Sequence, residues 1–387
     1  MMSLSEGSLG SRMLPLTDRP LASRMLPLTD RPLASRMLIA AGRRLRTAAF
    51  AATAFMTAGC ATITLDEKVS NLAKETRLND IAYELTRAAA PFCPAPAADL
   101  GIRFARANWV RADVRDTWRG FYGLDDEIRA FQVRGGSPAQ VAGVPAGASV
   151  LSVGELTVNR DTTQRDIDAQ IQAGAAGSGR VRLVVADRAK AVRTFDLRPD
   201  RVCPVNFTTV YLQDTTLPGF GAGRGEARVV SGTWAHVRTR SDFAALASHG
   251  VAAAMSSDPR FSAANQWLLL AGSGVGAAVI GPFAALLGPA FMLGNSDQSR
   301  DIAADTLGLI LIARAGESLP GLESYEQVFG AFERDARRLG PLWNRAMTPE
   351  RREALKRTLA AVQRLVDENR LAELEQLLAK PRPAGAR

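Results

Sequence analysis

Two alanine- and leucine-rich helical segments constrain the fold of this chain more than any other feature. They are Ser241–Met255, SDFAALASHGVAAAM, and Asp297–Gly316, DQSRDIAADTLGLILIARAG. The first contains His249, one of only two histidines in the chain, and the second contains Asp301 and Asp305. What these helices can do chemically therefore depends on the residues that accompany His249.

A zinc peptidase helix has the pattern H-E-x-x-H. Its two imidazoles lie four residues apart on one face and reach one metal ion, and the glutamate acts as general base on the bound water. In this chain the corresponding run is His249-Gly250-Val251-Ala252-Ala253, and the other histidine, His236, lies thirteen residues upstream. Gly250 has no side chain to move a proton, and Ala253 has no lone pair to offer zinc. The sequence therefore predicts no catalytic zinc on this helix.

The two segments nevertheless resemble zinc metallopeptidase family forty-eight, which includes CAAX prenyl proteases and envelope quality-control peptidases. The run from Ser241 to Ala253 is similar to the family pattern D-E-L-A-x-V-L-A-H-E-x-x-H. The run from Asp301 to Gly316 is similar to E-x-x-A-D-x-L-G-L followed by A-R-A-G. The resemblance implies a mostly helical, gluzincin-like body with a small sheet. It places Asp301, one methylene shorter, at the glutamate that supplies the third ligand, and it gives Asp305 a supporting role.

Two other interpretations of these residues stay open. His249 can be an ordinary packed side chain, and Asp301 a solvated acid near a helix start. Alternatively, the chain is an active zinc enzyme whose site has been rebuilt around both residues, although catalytic zinc normally takes three protein ligands. We expect no cofactor unless this alternative holds.

Residues 101–200 differ in character from the helical segments. Short runs bounded by Gly, Pro and Asp predict four strands, with a helix between them that is capped by Asp161 or Thr162. The predicted strands and helix are Ile128–Val133, Ser149–Val153, Val181–Ala186, Val192–Leu197 and Gln164–Ala173.

Within this region, residues 135–144, GGSPAQVAGV, resemble the G-S-P-A-x-x-A-G-L signature of bacterial PDZ domains. Such domains bind an extended peptide as an added strand. The resemblance implies an inserted, β-rich PDZ-like domain whose peptide-carboxylate loop lies near Tyr122, Gly123 and Leu124. An insertion with the PDZ shape that binds nothing is the alternative.

The N-terminal segment reads as an export signal behind a duplication. Residues 11–34 are two identical copies of SRMLPLTDRPLA, which we exclude from the fold. A positive segment with Arg43, Arg44 and Arg46 and the short apolar run Thr47–Met56 follow, and the run is too short to span a bilayer. Thr57-Ala58-Gly59-Cys60 then resembles a lipoprotein cleavage box, which implies lipidation of Cys60. With Ala61 after it, the family sorting rule implies the periplasmic side of the outer membrane. An ordinary signal peptide or uncleaved anchor is the alternative.

The cysteine count agrees with export. The chain has three cysteines, so lipidation of Cys60 leaves Cys93 and Cys203 as an even pair that an oxidising compartment allows to bridge. We predict that disulfide, which would join the two ends of the PDZ-like segment. Two buried thiols are the alternative.

The charge gives no sign of nucleic-acid binding. The whole chain carries +9, but residues 1–59 hold eight Arg and three acids, a net of +5, so the remainder is +4. That balance is ordinary for a domain of this size and predicts no nucleic-acid partner.

Together these patterns predict an α+β fold divided as 1–59 leader and signal, 60–100 first helix, 101–200 PDZ-like domain, 201–345 peptidase-like domain and 346–387 C-terminal helices. Further predictions cover a first helix, strands on either side of a glycine-rich loop at 219–225, an apolar hairpin and two last helices. These elements are Ser70–Ala90, Thr208–Leu212, Ala227–Ser231, Trp267–Leu293, a helix starting at Thr348-Pro349 and Leu371–Lys380.

The sequence thus predicts an exported, lipid-anchored pseudopeptidase that is not an enzyme. It would bind peptide or protein segments and act as an adaptor or regulator in the bacterial envelope. A zinc metalloendopeptidase with a rebuilt site is one alternative. A membrane-embedded structural protein, anchored through residues 267–293, is the other.

Overall fold

The computed structural model describes residues 64–93, 95–212, 216–223, 225–257, 297–339 and 346–372. The predicted leader and Cys60, the apolar hairpin of residues 267–293 and most of the last predicted helix lie outside these ranges. All the described residues belong to one unit, Cys60–Arg387. Their helices include none that is long and apolar enough to cross a membrane.

The fold is α+β, as predicted. The described helices are α1 Leu65–Ala89, α2 Arg115–Tyr122, α3 Pro138–Val141, α4 Gln164–Gly177, α5 Arg240–Ser256, α6 Asp297–Arg314, α7 Leu322–Leu339 and α8 Pro349–Asp367. The described strands are β1 Ala97–Asp99, β2 Ile102–Ala105, β3 Arg129–Val133, β4 Ala148–Val153, β5 Leu156–Thr157, β6 Val181–Ala186, β7 Val192–Leu197, β8 Asp200–Val202, β9 Asn206–Val210, β10 Phe220–Gly223 and β11 Glu226–Val230.

A sheet of six strands occupies the first half of the described chain. Its main path runs β2-β3-β4-β6-β7 with every neighbouring pair antiparallel, and β5 pairs with β4. Apolar side chains alternate into one core, where Ile102 and Val150 of the sheet meet Ile167 and Ile171 of α4. The N-cap of α4 is Thr163, not the predicted Asp161 or Thr162.

Hydrogen bonds at the start of α4 explain why Thr163 is the cap. Thr163 and Asp166 form a capping box in which each side chain bonds the backbone of the other. Thr162 is instead buried, and its backbone and hydroxyl bond the side chain of Asn159 in the preceding turn.

The second half is mainly helical and carries a smaller sheet in the order β10-β11-β9. Strands β9 and β11 are parallel, whereas β10 and β11 are antiparallel. Strand β10 forms within the segment 219–225 that the sequence predicts to be a loop, because Phe220 is fully buried against the helices and anchors it. Helices α1, α5, α6, α7 and α8 supply the rest of one large core.

A two-stranded ribbon joins the two halves. Strand β1 leads into the six-stranded sheet, β8 leads out of it, and the two pair antiparallel from Ala97–Val202 to Asp99–Asp200. Beside this ribbon the sulfur atoms of Cys93 and Cys203 lie 2.11 Å apart, at disulfide distance, in agreement with the sequence prediction. The bond therefore ties the end of α1 to the exit of the six-stranded sheet.

Replacing both Cys93 and Cys203 with serine is expected to lower the free energy of unfolding by about 2–4 kcal/mol. The bond closes a loop of 110 residues, so the reduced chain regains much conformational freedom when it unfolds. Urea denaturation of oxidised wild type and double variant measures the difference. Dithiothreitol should destabilise the wild type and leave the variant unchanged; equal stability of the two oxidised proteins would contradict the expectation.

Candidate functional site

Helix α5 holds His249 at the centre of the helical body. The helix starts at a capping box between Thr239 and Asp242, and its residues 243–252 are all buried. It crosses α6 at very short range, because a Cβ on Gly308 would lie 2.9 Å from the backbone of Ser248. Glycine at 308 thus permits the approach that brings His249 against the acids of α6.

His249, Asp305 and Arg351 form a buried polar cluster. Nδ1 of His249 lies 2.8 Å from Oδ1 of Asp305, the distance of a ring N–H donating to a carboxylate. Arg351 donates to the same carboxylate from Nε at 2.6 Å and from Nη2 at 2.9 Å. The exposed fractions of the three residues are 0, 2 and 1%. This cluster joins α5, α6 and α8 through charge-assisted hydrogen bonds.

The charges of the cluster compensate one another. Burial raises the pKa of Asp305, but the charge of Arg351 and the hydrogen bond with His249 outweigh it and hold that pKa below its usual value. Burial lowers the pKa of Arg351, and the charge and hydrogen bond of Asp305 raise it further than burial lowers it. Both groups are therefore charged at neutral pH, and each depends on the other.

Aromatic rings enclose the cluster. The guanidinium carbon of Arg351 lies 4.5 Å from the ring centroid of Phe329, which also packs 4.9 Å from the centroid of His249. Phe220 meets the imidazole edge-on from the other side, with centroids 5.4 Å apart. The rings keep the polar groups in a low-dielectric environment, where a lost partner is costly.

The arrangement around Asp301 does not suit zinc. Oδ1 of Asp301 lies 3.9 Å from Nε2 of His249, and this Nε2 is buried with no hydrogen-bond partner among the described residues. Nη1 of Arg351 lies 3.9 Å from the other oxygen of Asp301, so a fixed cation already stands beside these two groups. The described residues contain no group of three or more His, Cys, Asp or Glu that could hold a metal. Among the described residues, a dication at this point would find two donors, on His249 and Asp301, beside the repelling guanidinium of Arg351.

Gly250 and Ala253 occupy the positions that hold the general base and the second histidine in the zinc-peptidase pattern. The first position is sterically blocked, and the second has no donor atom. A Cβ on Gly250 would lie 2.5 Å from two ring carbons of Phe207 and 3.2 Å from Phe220, so the two rings fill the space of a general base. Ala253, one turn further on, is partly buried against the core. The helix is thus packed for close contact at the position where the zinc-peptidase pattern has a carboxylate.

A second candidate site is a cleft along the outer edge of the six-stranded sheet. Strand β2 ends that sheet, and no other described strand pairs with its outer edge. A cleft of about 950 Å³ lies beside it, lined by Ile102 and Phe104 of β2 and by Gln164, Asp168 and Ile171 of α4. An open strand edge next to an apolar wall is the geometry in which an extended chain can add as a further strand.

The far wall of the cleft is formed by α1 and β9, and there the strand edge is covered. Asn79 of α1 accepts from the backbone N–H of Phe207 and donates to its carbonyl, both at 3.2 Å. Glu75 accepts from the N–H of Thr209 at 2.8 Å. Side chains of α1 thus occupy the edge of β9, which leaves β2 as the open edge of the cleft.

The predicted peptide loop lies elsewhere. The side chains of Tyr122 and Leu124 are buried in a small core with Phe131, and the Tyr122 hydroxyl lies 2.7 Å from that of Thr76. Gly123 ends α2 in the left-handed conformation and lines a separate hollow of about 400 Å³. None of the three lines the cleft described above; Phe131, which packs with Tyr122 and Leu124, does line it.

Sequence reasoning missed two parts of these sites. It did not identify Arg351, which lies in the first turn of the helix after Thr348-Pro349 and becomes a partner of Asp305 only through the tertiary fold. It also did not identify β2, because four residues preceded by glycine give a weak strand signal. Asp305, to which the resemblance gives a supporting role, lies against His249 and accepts from Arg351.

Comparisons with protein-family models, with curated proteins and with solved structures gave no match. The resemblances of residues 241–316 and 135–144 therefore rest on their motifs alone.

Proposed function

We propose that this chain is an exported, lipid-anchored pseudopeptidase that binds extended protein segments in the bacterial envelope. In this proposal, residues 201–345 are a gluzincin-like body without peptidase activity, and residues 101–200 are a PDZ-like domain that carries the binding cleft. The partner is a peptide or an unfolded stretch of an envelope protein, and the role is that of an adaptor or regulator.

The observation that carries the proposal is the cleft between β2 and α4. Its lining includes β2, whose outer edge pairs with no other described strand, and partly exposed apolar side chains such as Trp109 and Val114. Backbone hydrogen bonds would supply sequence-independent affinity, and the apolar wall would select alternate side chains of the bound segment. These are properties of a binding protein and require no reaction.

The loss of peptidase chemistry is supported by packing as well as by residue type. Phe207 fills the space beside Gly250, and Arg351 neutralises Asp305 next to His249. A peptidase needs a water there, activated by a metal and a base. In a protein of this kind the helical scaffold is retained, and aromatic rings and a guanidinium stabilise the region around His249 that a metal ion would organise in a peptidase.

The location is proposed from the N-terminal sequence. The lipoprotein-like box ending at Cys60 and the disulfide-distance pair of Cys93 and Cys203 both fit an oxidising envelope compartment. Incorporation of labelled palmitate in a bacterial host should depend on Cys60, and labelling of a Cys60→Ala variant would refute the anchor.

A second candidate, a zinc endopeptidase with a rebuilt site, is favoured by one observation. Nε2 of His249 is buried without a hydrogen-bond partner among the described residues, and it faces Asp301. Elemental analysis combined with casein digestion separates the two functions. Stoichiometric zinc with cleavage of casein would establish the enzyme and end the pseudopeptidase proposal.

The binding function is tested by selecting from displayed random twelve-residue peptides against the immobilised protein. We expect enriched sequences whose binding is lost in Asp168→Trp, because the indole would project from α4 into the cleft. Ala169→Trp is the matched control, since Ala169 is the next residue of the same helix, is exposed and does not line the cleft. No enrichment, or equal binding to both variants, would contradict the proposal.

A further inference from the structure

We infer that the cleft accepts internal chain segments and rejects free C-termini, because the carboxylate of Asp99 already occupies the end of the cleft where a terminal carboxylate would lie. This inference rests on the proposed peptide-binding function and specifies its substrate class. It concerns the residues that lead from β1 into β2.

Asp99 folds back onto the turn that precedes β2. Its Oδ1 accepts from the backbone N–H of Gly101 at 2.7 Å, and its Oδ2 accepts from Nη1 of Arg134 at 3.1 Å. A backbone N–H and a guanidinium directed at one point form a carboxylate-binding arrangement. In this chain the carboxylate comes from the protein itself.

The turn around Gly101 is fixed, so Asp99 cannot easily leave it. Gly101 has φ +73°, and a Cβ on it would lie 2.0 Å from Cβ of Ser137, which restricts this position to glycine. The carbonyl of Gly101 accepts from the N–H of Arg134 at 2.8 Å. Arg134 itself is 6% exposed and also donates to Asn206 at 3.2 Å. Displacing Asp99 would therefore leave a buried guanidinium short of its acid.

The orientation of an added strand determines which end of it meets Asp99. Every neighbouring pair in the six-stranded sheet is antiparallel. A segment added antiparallel to β2 has its C-terminal end at Ile102 and thus beside Asp99. Its terminal carboxylate would find the Gly101 N–H taken and a like charge within reach. An uncharged peptide group that continues past this point avoids that repulsion.

A second acid strengthens the effect. Asp168 of α4 lines the same cleft, and Asp99 is close enough that its charge, after the larger effect of burial, raises the pKa of Asp168. Arg134 is paired with Asp99, and Arg103, which also lines the cleft, is paired with Glu75 at 3.4 Å. A free carboxylate at this end would therefore approach two acids, Asp99 and Asp168, while both of these cations are already paired with acids of the chain.

Two peptide libraries on the same carrier test the inference. In one, four random residues, as many as β2 contains, lie between two carrier domains; in the other, they end the chain with a free carboxylate, so that no further residue continues past Ile102. We expect enrichment from the internal library alone. A synthetic peptide shortened to end opposite Ile102 should bind at least about tenfold more weakly as the free acid than as the amide.

The variant Asp99→Asn keeps the acceptor for Gly101 and removes the charge, so it should reduce the acid-to-amide ratio to about threefold or less. Enrichment from the free-carboxylate library, or equal affinity of acid and amide, would overturn the inference while leaving peptide binding intact. A ratio unchanged in Asp99→Asn would overturn the role of Asp99. Failure of both libraries, or binders indifferent to Asp168→Trp, would instead defeat the proposed function.

Discussion

Replacing Arg351 with alanine should lower the free energy of unfolding by about 3–5 kcal/mol, the cost of leaving a buried acid without its cation. Asp305 would lose two charge-assisted hydrogen bonds, at 2.6 and 2.9 Å, and the ring of Phe329 would lose the guanidinium packed on it. Urea denaturation followed by circular dichroism measures the change.

The neighbouring arginine provides the control. Arg352 is paired with Glu326 at 2.7 Å, but the side chains are 34 and 41% exposed, so Arg352→Ala should cost no more than about 1 kcal/mol. The double variant Arg351→Ala with Asp305→Asn should recover part of the loss, because the uncompensated charge is gone. Similar losses for the two single arginine variants would show that the buried cluster is not the source of stability.

Placing glutamate at position 250, as in the H-E-x-x-H pattern, is expected to damage the fold instead of creating a zinc site. Gly250→Glu would place a Cβ 2.5 Å from the ring of Phe207 and bury a carboxylate among apolar side chains. Overpacking and an unpaired buried charge together should cost about 4–5 kcal/mol. We expect no gain of zinc by elemental analysis, even when Ala253→His and Asp301→Glu are added.

A glutamate substitution at a glycine on another helix is the control that separates the effect of packing from the effect of helix propensity. Gly120 of α2 is exposed, and a Cβ there would meet nothing within 4 Å. Gly120→Glu should leave stability unchanged or raise it by up to about 1 kcal/mol, because glutamate is the better helix former. A Gly250→Glu protein as stable as wild type, or one that binds zinc stoichiometrically, would mean that the rings do not fill this space.

Local patterns predicted most of the secondary structure. Strands Val181–Ala186 and Val192–Leu197 have the predicted bounds, and the helix after Thr348 begins with Pro349 as expected. These segments carry their own signals: alternation in the strands, and a capping residue with proline in the helix. Predicted elements with weaker boundaries, such as β9, are displaced by two residues.

Features that depend on distant parts of the chain could not be predicted in this way. Arg351, the partner of Asp305, lies 46 residues further along the chain. The ring that fills the space beside Gly250 is that of Phe207, on strand β9 of the smaller sheet. Motif comparison identified the absent groups at Gly250 and Ala253 but not what replaced them. Strand β2 escaped notice because its four residues become a strand only through pairing with β3.

One helix serves as a shared wall for both halves of the molecule. Along α1, Glu75 reaches Arg103 of β2 and Thr209 of β9, Asn79 bonds Phe207, and Asp80 accepts from Gln132 of β3. With its end also tied by the pair of Cys93 and Cys203, this wall keeps the width of the cleft constant. A segment bound as proposed would thus enter a cleft that is already formed, and only the segment would lose conformational entropy on binding. Its affinity would then depend on how well its shape fits the cleft.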